Sequence, residues 1–194
     1  MNDSSTGGYL SPAAATPPEE DLELDRLLSQ MVRGISGLPE GAVRPRWQPT
    51  TPKQPPSPDE NWCAIGISDQ TPDASPAILH DPAGDGRDIY WRHQDIELLC
   101  TFYGDQAKMR AQALADGVGI PQNREALGLR EMAVIGTGPI RAVPELVNNV
   151  WVRRYDLIIF LRRKISRTYS VLNLLSAETT THTEAGGAVV DSVP

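Results

Sequence analysis

The sequence predicts an α+β fold, a mostly antiparallel sheet packed against helices, with an extended N-terminal arm carrying one amphipathic helix. Three observations lead there. Between Trp62 and Tyr103, and again from Val150 to Leu175, apolar, β-branched and aromatic residues fall into strand-like runs. Leu24, Leu27, Leu28, Met31, Val32 and Ile35 instead recur at three- and four-residue spacing, the stripe of a helix. The strands also follow one another with a single helical insert, which fits segregated sheet and helices better than strict βαβ alternation.

The elements read in order. Residues 1–15 are mainly Ser, Thr, Gly, Ala and Pro and have little apolar matter to order them, so a flexible start is expected. A helical arm over 16–37 follows. Thr16 and Glu19 have capping-box spacing, Pro17 suits the first helical position, and acids crowd the first turns, where the helix dipole favours them. Gly34 and Gly37 supply the stop. Such a helix is marginal alone in water, so its stripe must dock on its own body or on a neighbouring subunit.

Seven prolines make residues 38–60 a semi-rigid connector. Within it Trp47 sits between an Arg-Pro and a Gln-Pro step in RPRWQP, as an anchor for a partner's pocket or a cover for the chain's own sheet. The body, 61–177, opens with a strand at Cys63, Ile65 and Ile67, then a short run over 77–80 and the turn-rich DPAGDG. A long strand to Tyr103 places Ile96, Leu98, Cys100 and Phe102 on one face. Gly104 ends it, and a helix lined by Ala107, Ala111, Leu114 and Val118 begins. QNREAL (122–127) is a second helical piece, MAVIGTG a strand, and PELVNN a short turn or helix. A strand to about Arg163, a turn, a returning strand through Leu175 and a polar tail over 178–194 complete the chain.

Charge is unevenly distributed. The net value is −7, but residues 1–40 hold −5 and 176–194 hold −3, leaving the middle at +1. A nearly neutral body argues against a dedicated nucleic-acid binder. Cys63 and Cys100 lie in strand-like runs and read as buried free thiols. The polar, then acidic N-terminus lacks the pattern of a signal peptide, and no apolar run has the roughly 18–20 residues of a membrane helix. Assembly in the cytosol is expected.

No catalytic set emerges. Asp81, Asp85 and Asp88 cluster, but their spacing is that of a tight turn rather than an EF-hand loop. His80 and His93 flank that turn without zinc-ligand spacing. Walker, nucleophile-elbow, HExxH and dinucleotide fingerprints are missing, so neither enzyme nor cofactor is expected.

The run VWVRRYDLIIFLRRKISRTYSVLNLL carries Arg153, Arg154, Arg162, Arg163, Lys164 and Arg167, six of the chain's eighteen basic residues. Alternation makes both faces apolar at the centre and basic at the ends, so the centre is buried twice and the tips meet solvent or a partner. Solvated tips, acidic protein and nucleic acid are the three possibilities, because Arg forks match carboxylate and phosphate alike. The acidic N-terminal helix is one source of carboxylates, within a subunit or between subunits.

IELLCTFYGDQA (96–107), QNREAL (122–127), VPELVNNVWVRRYDL (143–157) and LRRKISRTYSVLNLLSA (161–177), with RPRWQP ahead of NWCAIGI, together resemble the neck terminator-like proteins of tailed bacteriophages. The resemblance covers about 42–178 and rests on the whole body rather than one motif. It implies a structural virion protein, without enzymatic activity, located in the neck or tail and assembled in the host cytoplasm. Such a protein forms a ring of itself, usually a hexamer, which caps the tail tube and joins it to the head-side connector or adaptor proteins. The tail tube and sheath would be neighbours, and DNA would pass through without specific binding; no membrane is involved. Together with the residue pattern, it makes Leu24, Leu27, Leu28, Met31, Trp47, Arg153, Arg154, Arg162, Arg163, Lys164 and Arg167 the candidate subunit or partner interface. The alternatives are a non-structural assembly chaperone and a nucleic-acid-binding accessory protein.

Overall fold

A computed structural model describes residues 2–13, 20–47, 57, 59–147 and 149–174, and the backbone of 177–182 and 188–193. Its elements in chain order are α1 (Asp21–Ser36), β1 (Val43–Pro45), β2 (Trp62–Pro72), β3 (Ala77–Asp81), β4 (Arg87–Tyr103) and α2 (Ala107–Gly117). A 3-10 turn (Pro121–Arg124) then leads into α3 (Glu125–Gly128). There follow β5 (Met132–Thr137), β6 (Arg141–Ala142), β7 (Glu145–Val147), β8 (Val150–Val152), β9 (Arg154–Tyr169), β10 (Ala177–His182) and β11 (Ala188–Val193). The α+β class read from the sequence is the one found. The chain forms two compact units, one of Pro17–Pro76 and Arg92–Ile165, the other of Met1–Thr16, Ala77–Trp91 and Ser166–Pro194.

The larger unit holds the main sheet, in the order β1-β2-β4-β9-β5. β2 pairs antiparallel with β4, and β5 and β6 pair antiparallel with β9. Cys63 lies opposite Phe102 and Ile65 opposite Cys100, so their side chains share a face with Ile96 and Leu98. Leu157, Ile159 and Leu161 of β9 join the same core. Cys63 and Cys100 are buried free thiols, and burial pushes the Cys63 thiol well up, keeping it protonated and unreactive.

Helices close this face. Leu24, Leu28, Met31 and Val32 of α1 enter the core with Ala107, Ala111 and Leu114 of α2. Each large aliphatic side chain so buried contributes about 1.5–3 kcal/mol relative to exposure. Gly37, at φ 68, ends α1 in the left-handed conformation, and its N–H donates to the Arg33 carbonyl; Gly34 stays inside the helix. Glu20 stands at the N-cap without a side-chain capping bond, and the Thr16–Glu19 box lies outside the described residues. At the start of α2, the Asn61 side-chain oxygen accepts the Gln106 N–H at 2.7 Å. Gly104, at φ 98, lets the chain turn there, since a Cβ would come within 2.5 Å of the Glu60 carbonyl oxygen.

The structure corrects four expectations. Part of the proline-rich connector is a strand, because β1 pairs in parallel with β2 and places Val43 opposite Cys63. Pro45 is tolerated there because the strand is an edge. PELVNN is no helix: β7 and β8 form an antiparallel hairpin whose turn carries Asn149 at φ 61, a conformation Asn accepts more readily than most residues. No turn follows Arg163, since β9 runs unbroken to Tyr169 and buries Ile165 on the same face as Leu161. The residues after 178 are not simply a polar tail: β10 and β11 pair antiparallel, Ala177 opposite Val193 and His182 opposite Ala188, in keeping with their Thr and Val content.

In the smaller unit β3 pairs with the Arg87–Trp91 part of β4, setting His80 opposite Asp88. His93 is therefore not its cross-strand neighbour. Residues 2–13, expected to be flexible, hydrogen-bond to the end of β9 and the residue after it: the Ala13 N–H donates to the Thr168 carbonyl and the Ser4 N–H to the Ser170 carbonyl.

Candidate subunit interface

The basic residues of the 150–175 run come first, because both faces of β9 carry them. Arg163 is only 2% exposed, and its Nη2 lies 2.9 Å from both carboxylate oxygens of Glu20. Its Nε donates to Gln94 Oε1 at 3.1 Å. The acidic N-terminal segment thus meets an arginine within one chain. Arg162 bridges two carboxylates, with Nη1 to Asp95 Oδ1 and Nη2 to Asp73 Oδ2 both at 2.7 Å. These hydrogen bonds, Asp95 first, raise its pKa and fix it as a cation.

Arg154 forks onto Asp156, with Nε at 2.9 Å and Nη2 at 2.8 Å, and its Nη1 pairs with Glu145. The Asp156 hydrogen bonds push its pKa further up against the opposing effect of burial. Lys164 Nζ lies 3.2 Å from Glu131, and Arg153 lies 3.5 Å from Asp105 at an exposed position. Arg167, half-buried in the smaller unit, makes no ion pair among the described residues. Five of the six basic side chains are therefore matched by carboxylates of their own chain. Their partners are spread over Glu20, Asp73, Asp95, Asp105, Glu131, Glu145 and Asp156, an internal network where the basic tips were expected to meet solvent or a partner.

The apolar candidates divide. Leu24, Leu28 and Met31 are buried in the chain's own core and Leu27 packs half-buried against it, so this stripe is taken by the body rather than by a neighbour. Trp47 lies over β2: a Cβ on Gly66 would come within 2.5 Å of its ring. Its outer surface stays open, with 66% of the residue exposed. The adjoining residues fasten the segment. Arg44 sits 5.6 Å over the ring of Trp62, which stacks on Tyr103 at 4.4 Å, and Arg46 donates to the buried Thr101 hydroxyl.

One surface went unrecognised in the sequence. Leu146 pairs across the β7–β8 hairpin with Trp151, and Val147 with Val150. These four are 56%, 68%, 38% and 50% exposed. The first pair lies on one face and the second on the other, and a two-stranded hairpin is marginal on its own and gains by covering such residues. The signal was available in LVNNVWV, an apolar pair and an apolar triplet about two Asn residues. Directly after β8, Arg153 and Tyr155 line a shallow groove of about 830 Å³ with Asp105, Lys108, Met109 and Ala113.

Among the described residues no cluster of three or more His, Cys, Asp or Glu side chains is placed to hold a metal ion, and no helix is long and apolar enough to cross a membrane. What remains is an α+β body in which most basic side chains of the 150–175 run are paired within the chain, and whose exposed large apolar residues include four on the β7–β8 hairpin.

Comparison with known families agrees. The family model described as phage neck terminator protein matches residues 22–186, and the chain belongs to that family of structural phage neck proteins. The match begins within α1 and ends between β10 and β11, wider at both ends than the 42–178 stretch that carries the resemblance by eye. No curated protein matches the chain.

Proposed function

We propose that this protein is the neck or tail terminator ring of a tailed phage, a structural virion component that caps the tail tube and joins it to the head-side connector. The observation that carries the reading is the β7–β8 hairpin, whose apolar residues, Leu146 and Trp151 on one face and Val147 and Val150 on the other, are left exposed by the described residues. Copies around a ring meet through two different surfaces, and such a hairpin is suited to supply one of them. Six copies would close the ring, with connector or adaptor proteins on one side and tail tube and sheath on the other. DNA would pass through without specific contacts, and no cofactor or catalytic step is involved.

The experiment is the double substitution Leu146→Ser with Trp151→Ser. Native mass spectrometry of the wild-type protein is expected to show a closed oligomer, and the variant is expected to be monomeric with an unchanged unfolding temperature. Particles carrying the variant should contain tails that are unjoined to heads. An unchanged oligomer in the variant would overturn the role of the hairpin. A chaperone using the same surface predicts a different result, the absence of this polypeptide from finished particles.

A further inference from the structure

In the smaller unit, His80 of β3 is held between two hydrogen-bond acceptors. Its Nδ1 is 2.7 Å from Asp88 Oδ1, the residue opposite it on β4, and its Nε2 is 2.9 Å from Asn173 Oδ1. The orientation of the Asn173 amide is fixed by its other end. Nδ2 donates to the carbonyls of Pro82 and Gly84, both at 3.1 Å, in the turn between β3 and β4. Turning the amide over would satisfy a neutral ring but would point Oδ1 at two carbonyl oxygens. No neutral imidazole satisfies every partner, whereas a ring protonated on both nitrogens does.

The turn and residues 171–173 are also fitted to one another. The Asn173 N–H donates to the Asp85 carbonyl at 3.0 Å. Gly86 lies so close that a Cβ there would come within 2.6 Å of Asn173 Oδ1 and 2.8 Å of the Val171 carbonyl oxygen. On the other side, Ser4 Oγ accepts the Leu172 N–H at 2.8 Å. The charged groups facing His80 are Asp88 on β4 and Asp81 on its own strand, the latter paired with Arg87 at 2.6 Å. Residues 170–174 bring no ionisable side chain.

We propose that His80 is a proton-operated latch: as imidazolium it clasps residues 171–173 to the β3–β4 turn, and loss of its Nε2 proton to solvent releases them. Nε2 is the site of loss because the Asp88 carboxylate retains the proton on Nδ1. The segment released leads directly into β10 and β11, so the latch sets whether that hairpin leaves from a fixed or a free anchor. The Asp88 hydrogen bond, then that of Asn173, raises the His80 pKa above its ordinary 6.5. The raised value means that the latch is closed below that pH and opens as pH rises through the folded-state pKa.

Ring-nitrogen NMR and amide hydrogen exchange on the full-length protein test this. At pH 6 both His80 nitrogens are expected to carry protons, with Nε2 titrating above 6.5. Protection of the Asn173 amide, corrected for the intrinsic exchange rate, should fall about tenfold or more between pH 6 and pH 9, as expected for a charge-assisted hydrogen bond. Asp88→Asn should lower the midpoint, and His80→Gln should leave protection low and independent of pH. A singly protonated ring at pH 6, or Asn173 protection that does not change with pH in the wild-type protein, would overturn the latch.

Discussion

Arg163 and Glu20 form a pair of very unequal burial, the guanidinium almost wholly enclosed and the carboxylate 39% exposed. Removing either partner therefore does different things. Glu20→Ala removes the carboxylate that pairs with this buried cation, and should cost about 1–3 kcal/mol. Arg163→Met removes the charge together with its need for a partner, while Glu20 keeps its water, so the loss should be smaller. Urea unfolding of the two variants decides: a greater loss for Arg163→Met would mean that packing of the arginine stem, not charge pairing, dominates. The sequence made these arginines conspicuous and the acidic N-terminal helix a source of carboxylates for them, but not which residues pair. Glu20 lies 143 positions away in the chain, a pairing that no local spacing encodes.

Among elements, α1 shows what periodicity can and cannot convey. The stripe was legible residue by residue, yet the surface it covers was not, because a helix's apolar face is the same whether it docks on its own sheet or on another subunit. Its place in the core makes a quantitative expectation. Leu28→Ala should lower stability by about 2–5 kcal/mol, whereas Leu27→Ala, half-buried, should cost less, as measured by thermal or chemical unfolding. The core face of β4 was equally legible, since Ile96, Leu98, Cys100 and Phe102 are buried together as their alternation predicts. β9, apolar on both faces at its centre and expected to be buried on both, fully buries Leu157, Ile159 and Leu161 on one face, with Ile158 and Phe160 half-buried on the other. The errors fell where local and tertiary signals conflict. Pro144 followed by Glu145 imitates a helix start but leads into β7, and Arg162, Arg163 and Lys164 imitate a turn. Carboxylates on neighbouring segments neutralise that cluster, so the strand continues through it. The β7–β8 hairpin was missed for the same reason that the basic run was favoured. Charge is conspicuous in a sequence, whereas an apolar pair exposed by the fold is not.

At the scale of the molecule, a balanced body and internally matched arginines give little electrostatic reason to hold DNA. Binding to duplex DNA should be undetectable at physiological salt, and any affinity at low salt should lack the slope of several released counterions. Fluorescence anisotropy across 20–200 mM salt measures this, and a steep slope would revive the nucleic-acid reading.

The margins of the main sheet bear on how copies can associate at all. On β1 the backbone positions turned away from β2 are Val43 and Pro45, since Ala42 and Arg46 bond inward to Cys63 and Ile65, and Pro45 has no N–H to offer. At the opposite margin, β5 is interrupted between Val134 and Gly136. A foreign strand finds a broken template on both sides. Growth by strand addition has no inherent end and yields fibres, while side chains meeting at a fixed angle return to their starting point after a definite number of steps. With these borders blunted, the proposed ring would be joined through side chains and not by one sheet continuing into the next.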